Sequence, residues 1–157
     1  MERSEARDVL TLMRRSPEIP DAALYGAERQ LVIEFSDITE PMPGHILASH
    51  EHMQQILDFG RSWNRKAPLL VHCFAGISRS TAAAYAIACD LVPHMDETVL
   101  ARTLRQLSPG ATPNIHLIRL ADDLLDRQGR MVDAITAIGR GADAFEGNPF
   151  SLDIFPA

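Results

Sequence analysis

Residues 69–84 read LLVHCFAGISRSTAAA. The first four are almost continuously apolar, the pattern of a strand buried on both faces. Residues 73–79 form a tight loop containing Gly76, and a helix begins at about Ser80. That helix, STAAAYAIACDL, is small and apolar on nearly all sides, so it belongs inside the protein. A strand, a glycine-containing loop and a helix N-terminus together make an anion cradle. Successive backbone N–H groups point into the loop, and the helix dipole adds partial positive charge. Arg79, at the start of the helix, can fold back over the cradle. Its planar fork matches two phosphate oxygens, which a lysine could not do. Cys73 sits at the base, where the field that attracts a phosphate also favours its thiolate. A thiolate beneath a bound phosphate is placed for in-line attack, giving a phosphocysteine.

Outward from this stretch, two earlier runs predict strands, residues 9–13 (VLTLM) and 31–35 (LVIEF), although Leu and Met in the first also suit a helix. TEPMPG at 39–44 is a loop. Ser49 caps a predicted helix to about Arg65 with Met53, Ile56, Leu57 and Trp63 on one stripe, and Pro68 breaks the chain before the strand. Asp96 caps another to Leu107, with Val99, Leu100, Thr103, Leu104 and Leu107 inward. Asn114 caps a fourth, with Leu117, Ile118, Ala121, Leu124 and Leu125 inward, and a last helix spans 131–138 after Gly129. From Gly139 the chain is rich in Gly, Pro and Phe. This tail, 139–157, either lays Phe145, Phe150 and Phe155 on the body or is mobile. Strands and helices mixed first, then a run of helices, predict an α/β fold with a small, mostly parallel central sheet flanked by helices. The short stretch before Val9 means either that the sheet lacks an N-terminal edge strand or that the true start lies upstream.

The chain has 157 residues, 46% of them hydrophobic, enough for one domain over 1–157 with an ordinary core. Two cysteines exclude a disulfide scaffold. A net charge of -6 argues against non-specific nucleic-acid binding. No apolar run approaches a membrane span, and MERSEARD lacks the apolar segment of a signal peptide, so the expectation is a cytoplasmic domain with reduced thiols and no membrane partner.

Cys-x5-Arg followed by Ser and preceded by His resembles the signature of cysteine-dependent protein tyrosine phosphatases. HCFAGISRS is most similar to the small dual-specificity branch. Asp37 in FSDITEPMPG lies 36 residues before Cys73, close to where that branch carries an aspartate. Pro113-Asn114 followed by Leu117 and Leu120 resembles its Pro-Asn helix start, and GRGADAFEGNPF resembles bacterial members. The likeness covers about residues 8 to 128. It implies a protein tyrosine phosphatase-like fold and a phosphorylated substrate, a phosphotyrosine protein or another phosphomonoester. It also implies roles: Cys73 as nucleophile, Arg79 as clamp, Asp37 as general acid and then base, and Ser80 as hydrogen-bond donor to the sulfur. The backbone N–H groups of Phe74, Ala75, Gly76, Ile77, Ser78 and Arg79 would bind phosphate oxygens. His72 would orient the loop through backbone contacts, and Asn114 would hold it in shape or only cap its helix. No metal or cofactor is implied. Lipid-directed relatives carry lysines in the loop, whereas Phe74, Ala75 and Ile77 are apolar here.

Blander readings compete. A cysteine is often a buried structural thiol, which suits Cys89 on its apolar helix better than Cys73, although Cys89 could also serve Cys73 as a redox partner. Asp37 could make only a local turn bond, and Glu40 is the alternative carboxylate. His45, His50 and His52 are close in sequence, but histidines two apart do not share a helix face, so no metal is expected there. His94 and His116 read as surface or capping residues, and Arg102 and Arg105 as a solvated face. Two other functions compete with hydrolysis: a rhodanese-like sulfurtransferase, whose loop is typically one residue shorter, and a low-turnover phosphate-recognition module.

Overall fold

The computed structural model describes residues 5–13, 26–143 and 147–154. Among these residues three strands, β1 (Asp8–Leu12), β2 (Arg29–Ile33) and β3 (Leu69–Cys73), pair in the order β2-β1-β3, all parallel. Leu12 lies opposite both Ile33 and Cys73, so all three strands end together and Cys73 opens at their carboxyl edge. Crevices at that edge are where open α/β sheets place ligands.

The buried strand is β1, not β3. All five residues of β1 are buried because it has a partner on each side. The first four residues of β3 are half-exposed and only Cys73 is buried. The sequence predicts a doubly buried β3, since apolar composition does not reveal strand order. Asp8 at the buried start of β1 is matched by a two-pronged bond from Arg29, with Nε and one Nη each 3.0 Å from a carboxylate oxygen. The Arg29 guanidinium also lies 4.6 Å from the centre of the Phe59 ring.

Five helices cover the sheet: α1 (His50–Ser62), α2 (Arg79–Leu91), α3 (Glu97–Leu107), α4 (Ile115–Leu125) and α5 (Arg130–Ile138). The apolar α2 is central, packing against β3, α1, α3 and α4. At its crossing with α1, a side chain on Gly60 would put Cβ 2.8 Å from Ile87 Cγ2, so glycine permits the close approach. Ser49, Asp96 and Asn114 each cap their helix as predicted. In the Ser49 cap the reciprocal partner is His52, whose Nδ1 accepts the Ser49 N–H at 3.0 Å.

Four predicted details are corrected. First, α1 stops at Ser62. Trp63 turns extended, its indole N–H donates to the Ala67 carbonyl at 2.8 Å, and its ring leaves the inward stripe. Second, the inward stripe of α3 is Glu97, Leu100, Ala101 and Leu104, while Val99 is 50% and Leu107 41% exposed. A buried glutamate disguises the phase. Glu97 is tolerated because Arg127 and Arg130 reach it at 2.9 and 3.1 Å. Burial alone would raise its pKa, but a main-chain bond and these two arginines outweigh it and hold the carboxyl below its usual range. Third, Leu124 of α4 is exposed; beside it, buried Asp122 accepts the N–H groups of Gly129, Met131 and Val132 and so caps α5 from outside. Fourth, Arg105 is no solvated face. It donates to the carbonyls of Ser108, Pro109, Ala111 and Gly139, tying the end of α3 to the start of the tail.

In the tail, Phe150 and Leu152 pack on the core and Ile154 is buried in it; Phe145 and Phe155 lie outside the described residues. No helix among the described residues is long and apolar enough to cross a membrane.

Candidate active site

Residues 73–79 leave the sheet at its carboxyl edge and turn into α2. Gly76 makes the turn with a φ of 69°, a conformation that favours glycine. Outside partners hold the loop by its carbonyls. The Ala75 carbonyl accepts from the Gly147 N–H at 2.7 Å, Ile77 from Thr112 at 3.0 Å, and Ser78 from Asn114 at 3.1 Å. In a planar trans peptide the carbonyl and the following N–H point to opposite sides. The N–H groups of Gly76, Ser78 and Arg79 are therefore turned away from these partners. The Thr81 hydroxyl, one turn into α2, adds a further bond to the Ser78 carbonyl at 3.1 Å.

Cys73 Sγ lies 3.3 Å from Ser80 Oγ. One Nη of Arg79 donates to the Phe35 carbonyl just beyond β2, at 3.0 Å, which fixes the guanidinium plane. Its Nε–H is buried and, among the described residues, has no protein acceptor. A buried charged donor left open costs free energy unless an anion satisfies it.

Asp37, 41 residues before Ser78, is brought onto the same loop. Its Oδ1 accepts from Ser78 Oγ at 2.7 Å and from Asn114 Nδ2 at 2.9 Å. Asn114 also donates to the Ile38 carbonyl at 3.1 Å, and its own Oδ1 takes the Leu117 N–H that starts α4. One side chain thus caps a helix, anchors the Asp37 segment and, through its main chain, steadies the loop. Glu40 is exposed.

His72 stands across from Thr11 in the sheet, with Nε2 2.6 Å from Thr11 Oγ1, which also accepts from Gln30 at 3.1 Å. The side-chain contact of His72 is thus a ring contact to β1, beneath the loop and not onto it. Burial lowers its pKa and keeps the ring neutral. Three other histidines are occupied elsewhere: His52 in its cap, His50 with Asp123 at 3.2 Å, His116 on the Ala48 carbonyl at 2.7 Å. Among the described residues no three His, Cys, Asp or Glu side chains gather as metal ligands would.

No family model and no curated protein matches the chain. Solved structures do. The phosphatase domain of Yvh1 from Chaetomium thermophilum superposes with a TM-score of 0.58 at 20% identity, covering 82% of each chain. Tk-PTP in its active form gives 0.56 at 21% identity over 76% of this chain and 79% of that one. A glycine-to-alanine mutant form of Tk-PTP gives 0.57 at 21% over 77% and 78%. The fold is therefore that of the cysteine-dependent protein tyrosine and dual-specificity phosphatases, and the small parallel sheet with five helices is its framework here.

Sequence reasoning missed several contributors: the Ser78 hydroxyl on Asp37, the Phe35 carbonyl on Arg79, and Thr11, Thr112 and Gly147. All act across long separations, and none carries a local signal.

Proposed function

We propose that the protein is a phosphomonoester hydrolase of the protein tyrosine or dual-specificity type, working through a phosphocysteine. The observation that carries this reading is the outward anchoring of the loop carbonyls, which turns successive N–H groups to the other side of a loop that starts at Cys73 and ends at Arg79. The open, buried Nε–H of Arg79 supports it.

In the first step the Cys73 thiolate attacks phosphorus, the bond to the leaving oxygen breaks, and Asp37 gives that oxygen its proton. With Oδ1 taken by Ser78 and Asn114, Oδ2 is the oxygen that carries the proton. The loop N–H groups and Arg79 hold the three equatorial oxygens, where transition-state charge lies. In the second step water attacks phosphorus, Asp37 takes its proton, and the sulfur–phosphorus bond breaks while the Ser80 hydroxyl donates to the departing sulfur. Phosphate leaves and Cys73 is restored.

Five residues separate Cys73 from Arg79, which suits a tetrahedral phosphate better than a persulfide. The apolar loop side chains, Phe74 above all at 82% exposed, favour an aryl phosphate such as phosphotyrosine over a highly charged inositol phosphate. The test is hydrolysis of p-nitrophenyl phosphate without added metal, inhibition by vanadate, and acid-quench trapping of a phosphate-labelled Cys73. A purified protein that turns over no aryl phosphate and forms no phosphocysteine overturns the reading.

A further inference from the structure

The C-terminal segment runs back to the site. Gly139 is held by Arg105, the Gly141 N–H donates to Thr112 Oγ1 at 3.1 Å, and the Ala142 N–H donates to the Pro109 carbonyl at 2.9 Å. The chain thus lies along residues 109–112, the segment whose Thr112 anchors the Ile77 carbonyl. Gly147 then reaches the loop itself. Its N–H takes the Ala75 carbonyl, and a Cβ there would stand 2.5 Å from the Gly76 carbonyl oxygen and 3.2 Å from its carbon. Beyond it, Phe150 and Leu152 pack on the core and Ile154 is buried, which fixes the far end.

We infer that Gly147 is a positioning residue for the phosphate loop, which makes the C-terminal segment part of the active-site scaffold. It fixes two successive peptides. Bonding the Ala75 carbonyl turns the Gly76 N–H to the opposite side, and packing against the Gly76 carbonyl does the same for the Ile77 N–H. These two donors lie at the middle of the loop, where Gly76 is the residue freest to let a peptide rotate. Thr112 and Asn114 hold the next two peptides, so each of the four carbonyls from Ala75 to Ser78 has a neighbour from outside the loop. Glycine is required because the approach leaves no room for a side chain. Its φ is not in the left-handed region, so an alanine there is excluded by the neighbour and not by its own backbone.

This rests on the phosphatase reading, and the experiment separates the two. Full-length Gly147→Ala, Ile154→Ala and the exposed neighbour Asn148→Ala are compared with the parent protein for kcat and KM on p-nitrophenyl phosphate and for inhibition constants of vanadate and inorganic phosphate. Circular dichroism melts confirm that each is folded at the assay temperature. Gly147→Ala is expected to lower kcat/KM by about a hundredfold and to weaken both oxyanions, as misplacing oxyanion donors does. Ile154→Ala, which frees the far anchor without touching the loop, is expected to weaken them by about tenfold, and Asn148→Ala not at all. Should Gly147→Ala fail to fold, the Ile154→Ala result decides. Parent-like oxyanion constants in both variants overturn the positioning role while leaving the phosphatase intact. A parent protein that neither turns over aryl phosphate nor binds vanadate overturns the phosphatase reading instead.

Discussion

Cys73 and Cys89 are both free and both buried, and they stand at opposite ends of the same helix. Cys73 closes β3, faces the N-terminal end of α2, and touches the Ser80 hydroxyl. Cys89 lies in the last turn beside Tyr85, and burial pushes its thiol up to about 12. Its own carbonyl is occupied by Arg127 at 2.7 Å. One end of the helix offers N–H groups and partial positive charge, while at the other the thiol is buried beside Tyr85 with the Glu97–Arg127 pair close by. The same side chain is thus a candidate nucleophile at one end and packing at the other, and the difference lies in what surrounds the sulfur: a loop and helix N-terminus in one case, a closed interior in the other.

The sharpest way to break this contrast is to exchange each sulfur in turn. Cys73→Ser is expected to lower turnover of aryl phosphate by at least about four orders of magnitude, as loss of a nucleophile does. Cys89→Ala should leave turnover unchanged and cost about 1 kcal/mol of stability from the small void. Iodoacetamide followed by peptide mapping should label Cys73 first. Labelling of Cys89 first, or a silent Cys73→Ser, removes the distinction.

Next in size is the proposed clamp. Arg79→Lys keeps the charge but loses the fork that reaches the Phe35 carbonyl and leaves Nε–H open for an anion. A loss of about a thousandfold in kcat/KM, near that of Arg79→Ala, is expected. Retained activity in the lysine variant rules out bidentate holding.

The acid follows. Asp37→Asn should slow esters with poor leaving groups by about a hundredfold, affect p-nitrophenyl phosphate less, and flatten the alkaline limb of the pH–rate profile, because a general acid works only while protonated. Asn114→Ser is the finer probe, because serine still caps α4 but lacks the amide Nδ2 that reaches Asp37. It should reproduce the same leaving-group dependence at about a tenth of its size, with the melting temperature little changed. A uniform loss across leaving groups makes Asn114 a helix cap only.

What the sequence reveals about these sites follows from distance along the chain. The signature from His72 to Ser80 is contiguous, and three helix caps lie one turn from what they cap, so all were readable. The Asp37–Ser78 bond spans 41 residues and the Gly147–Ala75 bond links the tail to the loop, so no local pattern announces either. Strand order was hidden for the same reason, since β1 becomes central only by pairing with segments on both sides. The face of α3 is disguised in the sequence because a charge sits at a core position, and its two arginine partners come from beyond α4.

The smallest effect concerns the sheet beneath the loop. Burial sets the pKa of His72 below its value in the unfolded chain, near 6.5. Above that value both states are neutral and the group contributes its full share of stability. As pH falls through 6.5 the unfolded chain takes a proton that the folded one refuses, so stability is lost until the folded pKa is reached, with a slope of at most about 1.4 kcal/mol per pH unit. Urea unfolding at pH 7.5 and at pH 5.5 should therefore show a drop in the parent protein that shrinks in His72→Gln, which does not titrate. Because the same histidine braces Thr11 beneath Cys73, the variant should also lower kcat/KM several-fold at pH 7.5, where titration plays no part. An equal pH-dependent drop in both proteins places the titrating group elsewhere and leaves His72 a spacer between β1 and β3.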